Sequence, residues 1–279
     1  MSGLRSKGKY LYGGVIAFLS FVGAGALSAQ TRTVPDFGGS GWLNENTFRG
    51  GELIPVEGSP PLNRQDPAHP FVPNNAGGQP TYRLADLGAN PNVKQWAKDV
   101  MKKDNDEVIA GKIAYTARQS CHPGGVIGFD MFGFQPTYFL QEKDKVTMVF
   151  SGDQQVRHVY LNVPHSANVK PSWYGESVGR YEGDTLVIDT IGLNTKTFAD
   201  NYRTPHTDKL HVTERWRIVE GDSILEVTLT VEDPDTYEKP WTAKQRFRRV
   251  STPYTEEVCA EGNLLLFDYG VPKDDTPDF

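Results

Sequence analysis

From about Pro136 to Cys259, apolar and polar residues alternate in short runs, and Gly, Asp, Asn or Pro bounds each run. Alternation places every second side chain on one face, which is typical of a half-buried β-strand. The pattern predicts nine strands: Tyr138–Glu142, Val146–Phe150, Val156–Val163, Ser177–Tyr181, Thr185–Ile191, Leu210–Val219, Ile224–Val231, Thr242–Val250 and Tyr254–Cys259. We therefore expect a mainly β fold, an antiparallel meander that closes into a lipocalin-like barrel, with a sandwich as the alternative.

Two stretches of this region repeat each other. Glu182-Gly183-Asp184 and Glu220-Gly221-Asp222 each lie between two β-type runs. Glycine readily adopts the positive φ that a tight hairpin needs. Both stretches are therefore predicted to be hairpin turns, with a structural role.

One amphipathic segment precedes the strands. Its apolar residues form a single stripe at helical spacing: Val93, Trp96, Ala97, Val100 and Met101. Asn90 suits the N-cap and Pro91 the first helical position, so the predicted helix runs from Pro91 to about Lys103. A further helical turn is predicted within Asp106–Tyr115. Residues 91–135 are expected to form a helical and loop segment with one or two short helices.

Residues 30–90 show neither helical nor strand periodicity. Nine of the nineteen prolines lie between Gln30 and Val93, among many glycines, and this punctuation interrupts helices and strands. We expect an extended arm that lies over the β-domain at 136–279. Scattered apolar residues are its expected anchors: Phe37, Trp42, Leu43, Phe48, Leu53, Ile54, Phe71 and Tyr82.

Residues 1–29 have the pattern of a secretory signal peptide. Arg5, Lys7 and Lys9 precede an apolar stretch that ends in small residues, with cleavage expected near Ser28 or Ala29. The alternative is an uncleaved anchor, but the stretch is short and glycine-containing for a spanning helix. We therefore expect a periplasmic or secreted protein without stable membrane insertion after cleavage.

Composition and charge narrow the classes of partner. The chain has 279 residues, 28 Gly and 19 Pro, which argues against a helical bundle. Its net charge is −6, and loss of the basic signal segment leaves about −9. No basic patch offsets this charge, so binding to nucleic acid is disfavoured and a small molecule is the expected partner.

The only two cysteines are Cys121 and Cys259. Because an exported protein is in an oxidising environment, a disulfide between them is predicted. The alternative is a catalytic thiol, since His122 follows Cys121 directly. Neighbouring residues in an extended segment point to opposite faces, so His122 is poorly placed to activate that thiol.

Several ionisable residues share a face with apolar ones in the predicted strands. Period two places Glu214 with Val212 and Trp216, Asp189 with Val187 and Ile191, and Arg157 with Val159; His158 shares a face with Val156 and Tyr160, whereas Glu226 lies on the solvent face. A buried lone charge is costly, so the inward charges are expected either to form ion pairs or to line a wet cavity.

A convergent set of such groups is suited to acid–base catalysis. His211 or His206 is the predicted base, Glu214 and Asp189 are orienting or proton-donating carboxylates, and Arg157 stabilises negative charge. The predicted substrate-binding residues are His165, His158, Trp173, Tyr174 and Trp216.

The reaction class that fits this set is a lyase or isomerase reaction: elimination, dehydration or retro-aldol cleavage of a small, partly apolar molecule such as an aromatic or terpenoid compound. Motifs for phosphate binding, dinucleotide binding and serine nucleophiles are missing, so no cofactor is expected. One alternative is a non-catalytic carrier of a hydrophobic ligand. Another is a metal-dependent hydrolase that uses His206, His211 and Glu214, although their spacing matches no strong zinc motif.

The run from Pro171 to Thr190, PSWYGESVGRYEGDTLVIDT, resembles a signature of a large family of secreted bacterial β-rich proteins. Four shorter stretches resemble the same family: Leu210–Arg215, Asp233-Pro234, Pro240-Trp241-Thr242 and Cys259–Asn263. The resemblance implies export and a β-rich body, and it assigns no activity.

Overall fold

The computed structural model describes residues 34–45, 52–71, 83–112, 116–117, 121–131, 135–152, 155–256 and 258–259. The predicted signal peptide at 1–29 and the predicted anchors Phe48 and Tyr82 lie outside these residues. The described residues form ten strands and two helices: β1 (Gly41–Asn44), β2 (Ile54–Pro55), α1 (Gln95–Ile109), α2 (Gly125–Met131), β3 (Thr137–Gln141), β4 (Lys145–Phe150), β5 (Gln155–Leu161), β6 (Glu176–Glu182), β7 (Thr185–Ile191), β8 (His211–Val219), β9 (Ile224–Glu232) and β10 (Trp241–Val250).

Nine of these strands form a closed barrel. Their order is β1-β3-β4-β5-β6-β7-β8-β9-β10, and β1 also pairs with β10 to close the ring. The predicted β-barrel is therefore confirmed, rather than the sandwich. Neighbours are antiparallel except β5 and β6, which run parallel and are joined by the crossover segment 162–175.

Eight of the nine predicted strands correspond to β3–β10, with ends that differ by a few residues. The ninth, Tyr254–Cys259, contains no strand in its described residues. The arm instead provides two strands that lie along one edge of β10: β1 pairs at Arg248 and β2 at Lys244. These strands span only four and two residues, too few to show a period in the sequence.

Both predicted hairpin turns are confirmed. Gly183 joins β6 to β7 with φ of 68°, and Gly221 joins β8 to β9 with φ of 62°. The two hairpins fix the register of their strands, because pairing proceeds outward from the turn. Counting from Val219 and Ile224, His211 stands opposite Glu232.

Helix α1 begins at Gln95, four residues after the predicted start. Asn90 does not cap it, because its Oδ1 accepts a hydrogen bond from the amide of Asn92 and forms a turn ahead of the helix. The stripe also differs from the prediction, since α1 buries Ala97, Met101 and Asn105 and leaves Trp96 40% exposed. In the described part of the chain, no helix is long and apolar enough to cross a membrane.

The barrel interior holds two apolar clusters with a polar layer between them. On β8, Val212 belongs to the first cluster and Trp216 to the second, and Glu214 lies between. On β10, Gln245 has the same place between Ala243 and Phe247. We call this layer the polar belt; its members are buried: Asn44, Arg157, Ser177, Thr190, Glu214 and Gln245.

Helices and loops pack on one end of the barrel. The first cluster includes Met101 of α1 and Ile127 of α2 together with Val212 and Val231, whereas the second contains the predicted arm anchors Phe37 and Trp42. Leu53 and Leu62 of the arm pack against the first cluster, so the arm contributes side chains to both clusters. The interior is a packed core above and below the polar belt.

The predicted disulfide is confirmed. Cys121 and Cys259 are bonded, with their Cα atoms 5.6 Å apart and a sequence separation of 138. The bond connects the segment before α2 to the residues that follow the barrel. A cross-link over so long a loop restricts the unfolded chain strongly.

We expect the double variant Cys121→Ser/Cys259→Ser to lose about 4–5 kcal/mol of unfolding free energy, because loop closure no longer restricts the unfolded state. Urea denaturation of the oxidised protein and the variant measures this difference. The reduced wild-type protein is the matched control and should unfold at the same urea concentration as the variant. Equal midpoints for the oxidised protein and the variant would contradict the expectation.

Candidate functional site

The inward charges Arg157 and Glu214 form an ion pair in the polar belt. Both side chains are fully buried, and Arg157 Nη1 donates to Glu214 Oε1 at 2.9 Å while its Nη2 donates to Oε2. Nη2 also donates to Thr190 Oγ1 at 3.0 Å, and Nε donates to Ser177 Oγ at 3.2 Å. Trp216 Nε1 donates to Glu214 Oε1 at 3.0 Å.

This network satisfies the charges internally. The predicted inward positions of Arg157 and Glu214 are correct, and the pair matches the structural possibility of an ion pair inside the barrel. Trp216, a predicted wall of the substrate site, packs against Phe139 and Phe247 in the core. All three side chains are buried among the described residues of the barrel core.

The predicted inward position of Asp189 is wrong. On β7 the fully buried inward residues are Leu186, Ile188 and Thr190, so Asp189 points outward. His158 also points outward, on the face where Val156 is 43% exposed and Tyr160 50% exposed. Apolar residues occur on both faces of β7, and period two alone therefore did not identify the inner one.

On the outer face, carboxylates and imidazoles alternate along a chain of hydrogen bonds, here called the outer chain. His165 Nδ1 lies 3.0 Å from Glu176 Oε1, and its Nε2 lies 2.7 Å from Asp189 Oδ1. His211 Nε2 lies 2.8 Å from Asp189 Oδ2, and its Nδ1 lies 3.3 Å from Glu232 Oε2. Four strands, β6 to β9, and the crossover segment thus each contribute one residue.

The outer chain favours ionised carboxylates. Partial burial opposes the ionisation of Asp189, but hydrogen bonds from His165 and His211 outweigh it and lower its pKa. Hydrogen bonds from the hydroxyl and amide of Ser166 lower the pKa of Glu176, and His165 adds to this effect. Because both ring nitrogens of His165 face accepting oxygens, only the doubly protonated ring donates to both.

One imidazole nitrogen of the outer chain is held loosely. His211 Nδ1 has the longest contact, and its partner Glu232 has a side chain that is 47% exposed. Its Nε2, in contrast, is fixed by Asp189. This is the arrangement of a general base that a carboxylate orients through the opposite nitrogen.

His206, the other predicted base, is separate from the outer chain. Its Nδ1 donates to the carbonyl of Thr207 at 2.9 Å, so its Nε2 accepts from the hydroxyl of Thr197 at 2.9 Å. Burial lowers the pKa of His206, which keeps the ring neutral. Both nitrogens are satisfied within the protein, and His206 supports the loop before β8.

The predicted ligands of a metal do not meet. Glu214 is paired inside the barrel, His206 is bonded to two threonines, and His211 belongs to the outer chain. Among the described residues no group of three or more His, Cys, Asp or Glu side chains is arranged to hold a metal ion.

The remaining predicted site residues have other partners. Trp173 stacks on His122 with ring centroids 5.1 Å apart, and Tyr174 donates to Gln155. His158 Nδ1 lies 3.2 Å from the hydroxyl of Thr147. Glu226 is on the outer face as predicted, but Arg217 and Lys244 cover it and leave little of it exposed to solvent.

A cleft of about 500 Å³ lies between the arm, the end of α2 and the loop at 200–202. Its wall has an apolar part formed by Leu53, Pro60, Pro61, Leu62, Tyr237 and Trp241. Its polar part consists mainly of amides and carboxylates: Glu52, Asn63, Gln65, Asn90, Asp200 and Asn201. An apolar wall with a few convergent polar groups is typical of a small-molecule site.

The polar groups of the cleft are fixed rather than poised for proton transfer. Asp200 accepts from the Asn63 side chain at 2.8 Å and from the amide and hydroxyl of Thr204. Burial raises the pKa of Tyr202 to about 12 and also raises that of Tyr237, so both phenols stay protonated. Gln65 Oε1 is shielded from solvent and receives no hydrogen bond from the described residues.

Sequence reasoning missed two members of the outer chain and the whole cleft. A signal existed for Glu232, because counting outward from the Gly221 turn places it opposite His211. Glu176 follows the same logic from the Gly183 turn, which sets it two positions beyond Val178, the partner of Asp189, and therefore on the same face. No pattern in the sequence indicates the cleft, because most of its wall is formed by the arm, which shows neither helical nor strand periodicity.

The chain matches no protein-family model, and no curated protein is significantly similar to it.

We expect Arg157→Met to lower the unfolding free energy by roughly 3–5 kcal/mol, because Glu214 then remains buried without its counter-charge. The double variant Arg157→Met/Glu214→Met removes both charges and should recover part of that loss. Chemical denaturation of both variants and the wild-type protein measures the difference. A double variant less stable than Arg157→Met would show that the pair contributes more than charge compensation.

Proposed function

We propose that this protein binds a small, partly apolar molecule in the cleft. The observation that carries the proposal is the wall itself, where Pro60, Pro61 and Trp241 adjoin fixed polar groups. A volume of about 500 Å³ suits a drug-sized ligand. The barrel interior is occupied by its own core, so a ligand is carried beside the barrel rather than within it.

The charges in the cleft favour an uncharged ligand. Glu52 binds Arg83 at 2.5 Å, and Arg64 of the wall binds Asp86 at 3.0 Å, so these charges already have partners. The side-chain oxygen of Gln65 receives no donor from the residues that the structure describes. Such a wall favours a ligand with an apolar face and at least one O–H or N–H donor.

This proposal assigns a binding role outside the cytoplasm. The basic, apolar and small-residue pattern of residues 1–29 supports export. The bond between Cys121 and Cys259 agrees with an oxidising environment. An exported carrier of a hydrophobic ligand is one of the alternatives from the sequence. Here the ligand is proposed to bind in the cleft beside the barrel rather than inside it.

Binding to the cleft is testable with an uncharged fluorescent probe, N-phenylnaphthylamine, which combines aromatic rings with one N–H donor. We expect saturable binding at one site, and Pro61→Arg should weaken it by about tenfold or more because a charged side chain then enters the apolar wall. Fluorescence titration measures the Kd. Pro61 is exposed, so circular dichroism should show an unchanged fold.

Two controls accompany this titration. Leu140→Arg places the same charge on the outer face of β3, outside the cleft, and should leave the Kd unchanged. Anilinonaphthalene sulfonate has the same ring system with a negative charge and should bind more weakly, because the carboxylate of Asp200, whose hydrogen bonds come from neutral groups, repels it. Equal Kd values for the wild-type protein and Pro61→Arg would refute the cleft as the site.

The outer chain favours a second candidate function, an acid–base lyase or isomerase. We propose His211 as the base, oriented by Asp189, with Nδ1 available once a substrate displaces Glu232. In a retro-aldol reaction, Nδ1 takes the hydroxyl proton, the carbon–carbon bond breaks, and the resulting enolate receives that proton at carbon. A lyase or isomerase of this kind needs no nucleophile or cofactor.

A β-hydroxyketone that releases a fluorescent naphthaldehyde on retro-aldol cleavage tests this candidate. We expect release above the buffer rate, and His211→Ala should reduce it by about 10²-fold or more because the base is lost. His158→Ala removes another exposed imidazole and should leave the rate unchanged. Equal rates for His211→Ala and the wild-type protein would exclude His211 as the base.

A further inference from the structure

The outer surface of β3, β4 and β5 is largely apolar. Side chains of these strands alternate between the core and the exterior, and several exterior ones are apolar. Leu140 is 58% exposed, Tyr160 50% and Val156 43%. We call this surface the apolar face; its members are Tyr138, Leu140, Val149, Val156, Tyr160 and, from the chain after β10, Tyr254. None of them lines the cleft or belongs to the outer chain.

The strand register brings these side chains together. Tyr138 stands opposite Val149 on β4, and Val149 stands opposite Val156 on β5. Side chains directly opposite each other on one face lie about 5 Å apart. Leu140 is two positions from Tyr138 on β3 and therefore shares its face. These four side chains form one continuous apolar surface.

Two polar side chains lie within the apolar face, next along β4 and β5. They are Thr147 and His158, which stand opposite each other. His158 Nδ1 lies 3.2 Å from the Thr147 hydroxyl, so their polar atoms are engaged with each other. Tyr160 follows His158 on the same side of β5 and extends the apolar surface beyond this pair.

After β10 the chain runs onto this same face. The hydroxyl of Tyr138 donates to the carbonyl of Thr252 at 2.7 Å. The ring of Tyr138 also contacts that of Tyr254 edge to face, with centroids 5.7 Å apart. The residues that follow the barrel therefore begin to cover the apolar face at β3.

The disulfide fixes the chain again at the other side of the face. Cys259 is bonded to Cys121. Gly124, three residues after Cys121, donates its amide to Gln155 Oε1 at 3.5 Å. Gln155 begins β5 and directly precedes Val156 of the apolar face. Cys259 is thus held near the end of β5 at which the apolar face begins.

The sequence continues after Cys259 with an apolar run, which lies beyond the residues that the structure describes. Its apolar members are Leu264, Leu265, Leu266, Phe267 and Tyr269. Removing such side chains from water is favourable roughly in proportion to the apolar area that is buried. The run and the apolar face therefore each gain from covering the other.

The run is tethered within reach of the face. Four residues, 260–263, separate Cys259 from Leu264, and they span up to about 14 Å when extended. Two strand spacings make the face about 10 Å wide, and Val156 and Tyr160 are about 13 Å apart along β5. So short a tether gives the run an effective concentration in the millimolar range. The tethered run therefore has the advantage over a second molecule in micromolar solution.

We propose that the apolar face is a docking surface for residues 264–269 of the same chain, which the disulfide at Cys259 holds at its border. The proposal goes beyond ligand binding and does not depend on the cleft or on the outer chain. An exposed apolar surface of this kind promotes association between molecules. An occupant from the same chain prevents that association.

Photocrosslinking in the full chain tests the proposal. The variant Leu140→p-benzoylphenylalanine places the photoreactive group on the apolar face, and Arg215→p-benzoylphenylalanine places it at an exposed position on the outer face of β8 as a control. Irradiation of mixed ¹⁴N- and ¹⁵N-labelled protein, followed by proteolysis and mass spectrometry, identifies the attached residues and their chain. We expect position 140 to attach to residues 264–269 of its own chain, with a yield about tenfold or more above that from position 215.

Charges in the run should release it from the face. Leu265→Asp/Leu266→Asp in the chain that carries the photoreactive group at position 140 should lower the yield by about tenfold or more, because two carboxylates resist transfer out of water. Thr276→Asp/Pro277→Asp adds the same charge outside the run and should retain the yield. Both pairs of substitutions lie after the last strand of the barrel, and circular dichroism checks that its fold is unchanged.

Four results would overturn the proposal. Crosslinks that join labelled to unlabelled chains would assign the apolar face to a second copy of the protein. The absence of crosslinks from position 140 to residues 264–269 would leave the face without this occupant. Equal yields from positions 140 and 215 would show that the run does not prefer the face. An unchanged yield in Leu265→Asp/Leu266→Asp would show that apolar contact does not hold the run there.

Discussion

The buried pair of Arg157 and Glu214 determines what the barrel interior is able to hold. Two full charges in a closed barrel require hydrogen-bond partners, which Ser177 and Thr190 of the polar belt and the indole of the neighbouring Trp216 provide. Once these donors and acceptors are used, the centre of the barrel is fixed as a polar layer between two apolar clusters. Both proposed sites accordingly lie outside the barrel interior, one on its outer face and one beside the arm.

The two candidate sites reflect this separation. The cleft has a defined volume and an apolar wall, and its carboxylates already accept hydrogen bonds within the protein, whereas the imidazoles of the outer chain are partly exposed on the outer face of the barrel. The cleft supports the proposed binding function, and the outer chain supports the proposed acid–base function. Their residues come from different elements, so variants in one leave the other intact and the two functions are separable by experiment.

Sequence reasoning succeeded where one physical signal dominated. Alternation located eight strands and the inward positions of Arg157 and Glu214, and the two glycine turns set the registers. Alternation failed on β7 because Leu186, Val187 and Ile188 are all apolar and buried, so consecutive positions do not differ in polarity there. The arm strands were missed because strands of four and two residues are too short to show alternation. The contact between His165 and Asp189 was missed because it depends on the path of the crossover segment, which no local sequence pattern indicates.

The closure of the barrel by β1 has a consequence for how the chain reaches its native state. Residues 41–44 pair with residues 247–250, so the ring stays open until nearly the whole polypeptide is available. Contacts so distant in sequence make folding slow and leave strand edges exposed in the interval. During synthesis, we therefore expect the hairpins β6–β7 and β8–β9 to form first from local contacts, and β1 to pair with β10 last.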